Sequence, residues 1–223
     1  MRENRIDKTV PENWWKLSEV NAVALSKLFW DEKLEVMLNA DHTFVYFYPE
    51  KYVVVAHKNK NRVGGRVKSD ANAGFTAMVT VNLGTIQMDA PFVVYNGTKL
   101  KDSKNPQSTL VYRYRHWRDL SIGSSGHMYF QRKYWFDDDI TIEYLDFLLD
   151  VVHTGKKVGL SIDMTPVHRS WRVSEYIEKR TNEGRLVLGF INCGLDSVLQ
   201  VCDLVSNKES KSLIKKAQMK WRA

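Results

Sequence analysis

The hydrophobic pattern changes period partway along this chain, and the order of that change limits the fold more than any single motif. Between residues 33 and 98, β-branched and aromatic runs recur with turn signals between them: KLEVMLNADHTFVYFY (33–48), KYVVVA (51–56), GFTAMVTVNL (74–83) and APFVVYNGT (90–98). From residue 140 the period alternates between helix and strand. ITIEYLDFLLDVVHTG (140–155) sets Ile142, Leu145, Leu149 and Val152 on one helical face, with Gly155 past its end. VGLSID (158–163) follows as a strand, HRSWRVSEYIEKRTNEG (168–184) as a helix, RLVLGFI (185–191) as a strand and NKESKSLIKKAQMKW (207–221) as a final helix. Strands first and helix–strand alternation afterwards are both accommodated by an α/β fold with a mixed sheet flanked by helices.

Details of the map follow from the same signals. WKLSEVNAVALSKLFW (15–30) reads as a helix with Leu17, Val20, Ala24 and Leu28 near one face. The first strand is expected to end or bend near Asp41 and resume through Phe47, and residues 74–83 and 90–98 to pair antiparallel across a polar turn at Gln87 to Asp89. Residues 99–126 are polar, basic and rich in turn formers. At 223 residues, 43% hydrophobic and 26% charged, the chain has the length and composition of a globular protein with a sizeable core.

No apolar run approaches the roughly 20 residues that cross a bilayer, and MRENRIDKTVPENWW lacks the apolar core of a secretory signal. A soluble intracellular protein with no membrane partner is expected. Cys193 and Cys202 have no histidines at ligand spacing and read as free buried thiols of a reducing compartment rather than a zinc site. The net charge of +7 points to a polyanionic partner. It is concentrated: HKNKNRVGGRVK (57–68) carries Lys58, Lys60, Arg62, Arg66 and Lys68 with no acid, and YRYRHWR (112–118) interleaves Arg113, Arg115 and Arg118 with aromatics. Basic residues beside aromatic rings suit contacts to phosphates and bases of a nucleic acid. The segment KSLIKKAQMKWR (211–222) is basic again.

Three aspartates fall where a strand meets a loop: Asp41 in LNADHT, Asp163 in LSIDMT and Asp203 in VLQVCDLV. Carboxylates that converge repel one another unless a divalent cation lies between them. Oxygen ligands suit Mg²⁺ or Mn²⁺, and a pair of such ions can activate a nucleophile and stabilise the leaving oxygen in phosphodiester displacement. Asp137, Asp138 and Asp139 are the more conspicuous acids, but they directly precede a helix and read as its N-cap and first turn. His168 is placed either to touch the site or to bond locally where the next helix begins near Ser170, behind a strand broken by Pro166. No Gly-rich phosphate loop and no Ser-His-Asp order stands out, and no small-molecule organic cofactor is expected.

In this order the blocks resemble the DDE catalytic domain of pogo-type transposases, in the broader mariner-like superfamily. Asn39, Asp41 and Thr43 are similar to the family's Asn-x-Asp-x-Thr block, APFVVYNGT to its Pro- and Gly-containing segment, Asp163 and His168 to its Asp-Asn-x-x-x-His block, and Gln200 and Asp203, followed by Asn207, Lys208 and Lys211, to its Gln-Pro-x-Asp and basic helix. The acids are separated by 163 − 41 = 122 and 203 − 163 = 40 positions, and the resemblance spans roughly residues 30–223. It implies a ribonuclease H-like fold with a mixed five-stranded sheet. It implies, further, two Mg²⁺ or Mn²⁺ ions bridged by Asp41 and Asp163 and completed by Asp203, and DNA cleavage at transposon ends followed by strand transfer from the freed 3′-hydroxyl. DNA is the implied partner and the nucleus the implied location, with room for a homodimer. Residues 31–223 would be the catalytic domain, and residues 1–30 a helical remnant of the linker to an absent DNA-binding domain. The chain departs from the family at His42 (often Glu), Met164 (usually Asn) and Val201 (usually Pro). The family's helix-turn-helix domains have no counterpart before residue 30, so a catalytic module is implied: a fragment, a degenerate copy, or a domesticated domain that binds nucleic acid or protein without catalysis. A ribonuclease H-like nuclease acting on RNA or hybrids is a further alternative.

Overall fold

A computed structural model gives the fold and describes residues 12–46, 74–96, 127–131 and 135–202, together with positions 212 and 216. The elements in chain order are α1 (Trp14–Asp31), β1 (Val36–Tyr46), β2 (Gly74–Asn82), β3 (Gln87–Met88), β4 (Phe92–Asn96), β5 (His127–Gln131), α2 (Asp138–Asp146) with a π-helical continuation (Phe147–Val152), β6 (Val158–Asp163), a 3₁₀ turn (Val167–Arg169), α3 (Trp171–Asn182), β7 (Leu186–Ile191) and α4 (Asp196–Leu199). One mixed sheet carries them in the order β5-β4-β2-β1-β6-β7, with the two-residue β3 attached to β2. β1, β2 and β4 run antiparallel in succession, while β6 and β7 run parallel to β1. An antiparallel meander joined at its first strand to two parallel crossover strands is the arrangement of the ribonuclease H-like fold. The sheet is larger than the five strands expected, because β5 adds a parallel edge strand beside β4 and β3 lengthens the β2 ladder.

Both faces of the sheet are covered, which is why β6 carries no charge before its end: every residue from Val158 to Ile162 is buried, and only Asp163 reaches partway to solvent. On one face Leu38, Ala40, Leu160 and Ile162 pack with Ile140, Leu145, Leu148 and Leu149 of α2 and its continuation. The widened π turn keeps Phe147, Leu148 and Leu149 buried in succession, where an α-helix would turn one of them outward. Asp137 caps this helix as expected, its Oδ1 accepting from the Ile140 N–H at 3.0 Å, with Asp138 and Asp139 in the first turn. Ser170 likewise caps α3, accepting from the Val173 N–H at 3.3 Å.

The opposite face receives α1. Its packing side is Ser18, Asn21 and Phe29, with Leu25 against Gly189, whereas Val20, Ala24 and Leu28 face outward. Apolar residues occur all round this helix, so periodicity alone could not choose the side. The side chosen carries Asn21, whose amide donates to the Phe190 carbonyl at 3.1 Å. Gly159 and Gly189 make the close approach of α1 to the sheet: a Cβ on Gly159 would collide with Leu34 and lie 3.2 Å from Phe29 Cδ1. Gly159→Ala is expected to cost about 1–3 kcal/mol through overpacking, read as a lower urea midpoint with an unchanged slope.

Three further expectations are corrected. β1 runs unbroken through Asp41 for eleven residues and does not bend there, because β2 pairs with it along its length from Leu38 to Tyr46. The connection after β2 turns at residues 83–86, and Gln87 and Met88 already pair with it as β3. Cys193 is exposed, and only Cys202 is buried. The strand expected at 51–56, the segment 99–126 and the helix expected at 207–221 lie outside the described residues, apart from positions 212 and 216. Among the described residues no helix is long and apolar enough to cross a membrane.

Candidate metal centre

The centre of the sheet is the fork between β1 and β6. The two strands pair from Val36↔Val158 to Asn39↔Ser161 and then separate, while β6 continues beside β7 to Asp163↔Ile191. The register offset is 161 − 39 = 122, the same as the spacing 163 − 41 = 122 between the two aspartates. Asp41 and Asp163 therefore stand at matching positions, each two residues beyond the last pair of the two central parallel strands. Both are half-buried.

A buried polar clamp lies directly below the fork. The Asn39 amide donates to Ser161 Oγ at 3.0 Å, and the Ser161 hydroxyl donates in turn to the Leu38 carbonyl at 3.1 Å. Asn39 Oδ1 accepts from the Cys202 N–H at 3.1 Å, and Gln200 Nε2 donates to the Ala40 carbonyl at 2.5 Å. Asn39 and Gln200, expected beside the site, thus tie residues 200–202 to β1. Thr43 is buried farther along the same strand. Asp203, Asn207, Lys208 and Lys211 lie outside the described residues, as do Lys58, Lys60, Arg62, Arg66, Lys68, Arg113, Arg115 and Arg118.

Beyond Asp163 the chain breaks at Pro166 into the 3₁₀ turn, and this folds His168 back under the strand end, where it is buried. Its Nδ1 lies 3.0 Å from the Asp163 carbonyl, 3.0 Å from Thr165 Oγ1 and 3.1 Å from Asp163 Oδ1. His168 therefore both touches the site and bonds locally. A carbonyl oxygen only accepts, so in the neutral ring Nδ1 carries the proton and Nε2 bears the lone pair.

The neighbour that the sequence reading did not select as a site residue is His42. Its ring stacks on His168 with centroids 4.8 Å apart and packs against Phe136 at 4.5 Å. One donor atom each from His42, Asp163 and His168 lie within 4.8 Å of one another, and among the described residues this is the group of acids, histidines and cysteines placed closely enough to share an ion. Asp41 is not a member of that group. Successive residues of a strand project to opposite faces, so Asp41 and His42 cannot share a side of β1. The usable signal for His42 was its place beside Asp41 on a strand whose partner strand ends in Asp163.

Burial pushes the His42 imidazole down from its ordinary value of 6.5 to about 4, helped by His168 and opposed by Asp163. At neutral pH the ring is uncharged and has a lone pair to offer. Between about pH 4 and 6.5 the unfolded chain holds a proton on this residue that the folded chain lacks. Stability in chelator is therefore full above that window and falls as pH is lowered through it, by up to roughly 3 kcal/mol. His42→Gln should flatten the acid limb of the stability–pH curve measured by urea unfolding.

No family model matches the chain, and no curated protein sequence matches it. Solved structures do. The Mos1 strand transfer complex aligns at 10% identity and a TM-score of 0.47 over 92% of this chain and 52% of that one. The Mos1 mariner paired-end complex with Mn aligns at 8% identity and a TM-score of 0.42, over 92% and 53%. The Mos1 transposase paired-end complex with the left transposon end aligns at 10% identity and a TM-score of 0.41, over 92% and 53%. The chain spans about half the length of each of these matched chains.

Proposed function

We propose that the chain is a DDE-type catalytic domain that cleaves DNA with divalent metal ions and joins the freed 3′-hydroxyl to a new strand. The observation that carries this reading is the matching placement of Asp41 and Asp163 at the fork of the two central parallel strands in a ribonuclease H-like sheet. The donor chemistry fits: half-buried carboxylates are the ligands that Mg²⁺ and Mn²⁺ prefer. Asp41, Asp163 and Asp203 would hold the ions. When bound, the ions supply the charge that activates the attacking oxygen and stabilises the leaving one.

The chain's own residues prepare that site. Adjacent strands of one sheet keep Asp41 and Asp163 at a fixed separation without loop motion. His168, bonded to the Asp163 main chain and close to its carboxylate, holds the strand end in place. The Asn39–Gln200–Cys202 clamp fixes the segment entering residue 203 on β1. Residues 31–223 are the proposed catalytic unit, with α1 packed on it. The basic stretches 57–68 and 112–118 are the proposed DNA contacts, and a nuclear location and pairing of two copies on DNA belong to the same reading.

Supercoiled plasmid incubated with the protein and Mg²⁺ or Mn²⁺ tests it. Nicking should require the metal, stop with chelator, and be lost in Asp41→Asn while binding to DNA persists. Salt-sensitive DNA binding with no metal-dependent nicking by the unaltered protein would support a domesticated, non-catalytic domain instead, and cleavage confined to RNA or hybrids would support a ribonuclease.

A further inference from the structure

Histidine buried in a core is ordinarily satisfied, and this protein contains such a case: His153 Nε2 lies 2.7 Å from Asp89 Oδ2. The pair at the fork differs. His42 Nε2 and His168 Nε2 are both shielded from solvent and have no hydrogen-bond partner among the described residues, and His168 is 1% exposed. A buried polar atom left unmet is costly, so two of them on stacked rings call for a partner. His168 shows what that partner must accept. Its Nδ1 proton is committed to the Asp163 carbonyl, which leaves the inward Nε2 as a lone-pair donor. A ring anchored through one nitrogen to a backbone carbonyl, with the other nitrogen free, is the usual posture of a metal-ligating histidine.

We propose that His42, His168 and Asp163 form a site for a divalent transition-metal ion, of the Fe²⁺ to Zn²⁺ series rather than Mg²⁺, Mn²⁺ or Ca²⁺. Two imidazoles and one carboxylate with ligand atoms within 4.8 Å of one another are a donor set that borderline ions favour, and hard ions such as Mg²⁺ do not. Three protein ligands leave further positions open to water or an incoming oxygen. Hydrophobic and aromatic walls from Phe136 and the stacked imidazoles close the site on its other sides. The site uses Asp163, which the DNA-cleaving reading also needs, but not Asp41. An ion on the histidines therefore competes with the carboxylate pair for Asp163, and the identity of the metal present governs how that carboxylate is used. The inference stands whether or not the protein cuts DNA.

Co²⁺, whose visible ligand-field absorption reports nitrogen coordination, tests it when titrated into the metal-free full chain in excess Mg²⁺. The expected result is a saturable band with one Co²⁺ per chain, displaced by Zn²⁺. His42→Gln and His168→Gln should each weaken Co²⁺ by more than about tenfold, because loss of a direct ligand exceeds the 10–100-fold range's lower end for an outer-shell partner. Unfolding midpoints recorded alongside verify that the variants fold, and if His168→Gln does not, His42→Gln alone decides. Asp41→Asn should keep the band. An absent band, or one of equal affinity in a folded His42→Gln, overturns the proposal. A band that persists in a protein without nicking activity overturns the cleavage reading and leaves this one standing.

Discussion

Asp163→Ala is expected to abolish metal-dependent nicking, by at least about 100-fold, while leaving the fold in place. The lower bound follows from metal sites in general, where removing even an outer-shell partner of a ligand costs roughly 10–100-fold in affinity or activity. Asp163 ends β6 at the position matching Asp41, and in the proposed cleavage function its carboxylate would be a metal ligand. The fold survives because the main chain makes the local bonds. His168 Nδ1 keeps the residue 163 carbonyl at 3.0 Å and Thr165 Oγ1 at 3.0 Å after the carboxylate is gone. The unfolding midpoint should therefore move little, and the His168 ring should stay buried. Nicking that persists unchanged in a folded Asp163→Ala protein would falsify the assignment of this residue.

Leu160→Ala makes the opposite separation, three positions earlier on the same strand. Leu160 is fully buried, paired in register with Leu38 on one side and Leu188 on the other, within the cluster formed with α2. Its neighbours belong to two sheet strands and a helix tied by hydrogen bonds, so they cannot collapse into the space left. The expected loss is about 2–5 kcal/mol, the range for deleting a buried leucine side chain. Against the stability of an ordinary domain, about 5–15 kcal/mol, that is a large fraction. Chemical unfolding should show a lowered midpoint, and any nicking that remains should scale with the folded fraction. A shift under about 0.5 kcal/mol, the scale of an uneventful surface change, would mean that the β6–α2 contact is not the core.

Much of this was legible in the chain. The order of strand and helix periods announced a mixed α/β sheet, and the strand VGLSID was readable because burial on both faces leaves no charged position until Asp163. The cap at Asp137 was legible too, since capping is a local contest between a side chain and the next turn's N–H groups. The spacing of 122 between Asp41 and Asp163 was visible as a number. Its meaning, a shared register between two parallel strands, was not.

What escaped the reading was decided by packing. The buried side of α1 was chosen by the close approach over Gly159 and Gly189 and by the Asn21 bond to Phe190, neither of which has a local signature. β5 pairs with β4 across a long stretch of chain, and short segments take strand form only when an edge is there to receive them. His42 looked like a departure from the family pattern beside Asp41. Only when the turn at Pro166 folds His168 back beneath β6 do His42, His168 and Asp163 come within reach of one another. The sequence by itself determined the central strands, the helices between them and the cap at Asp137, because those follow from period and from neighbours a few residues away. Which side chains share a site was settled by the tertiary structure, because the fold-back at Pro166 brings residues 42, 163 and 168 within reach of one another beyond the last β1–β6 pair, and the pleat sends Asp41 and His42 to opposite sides of β1.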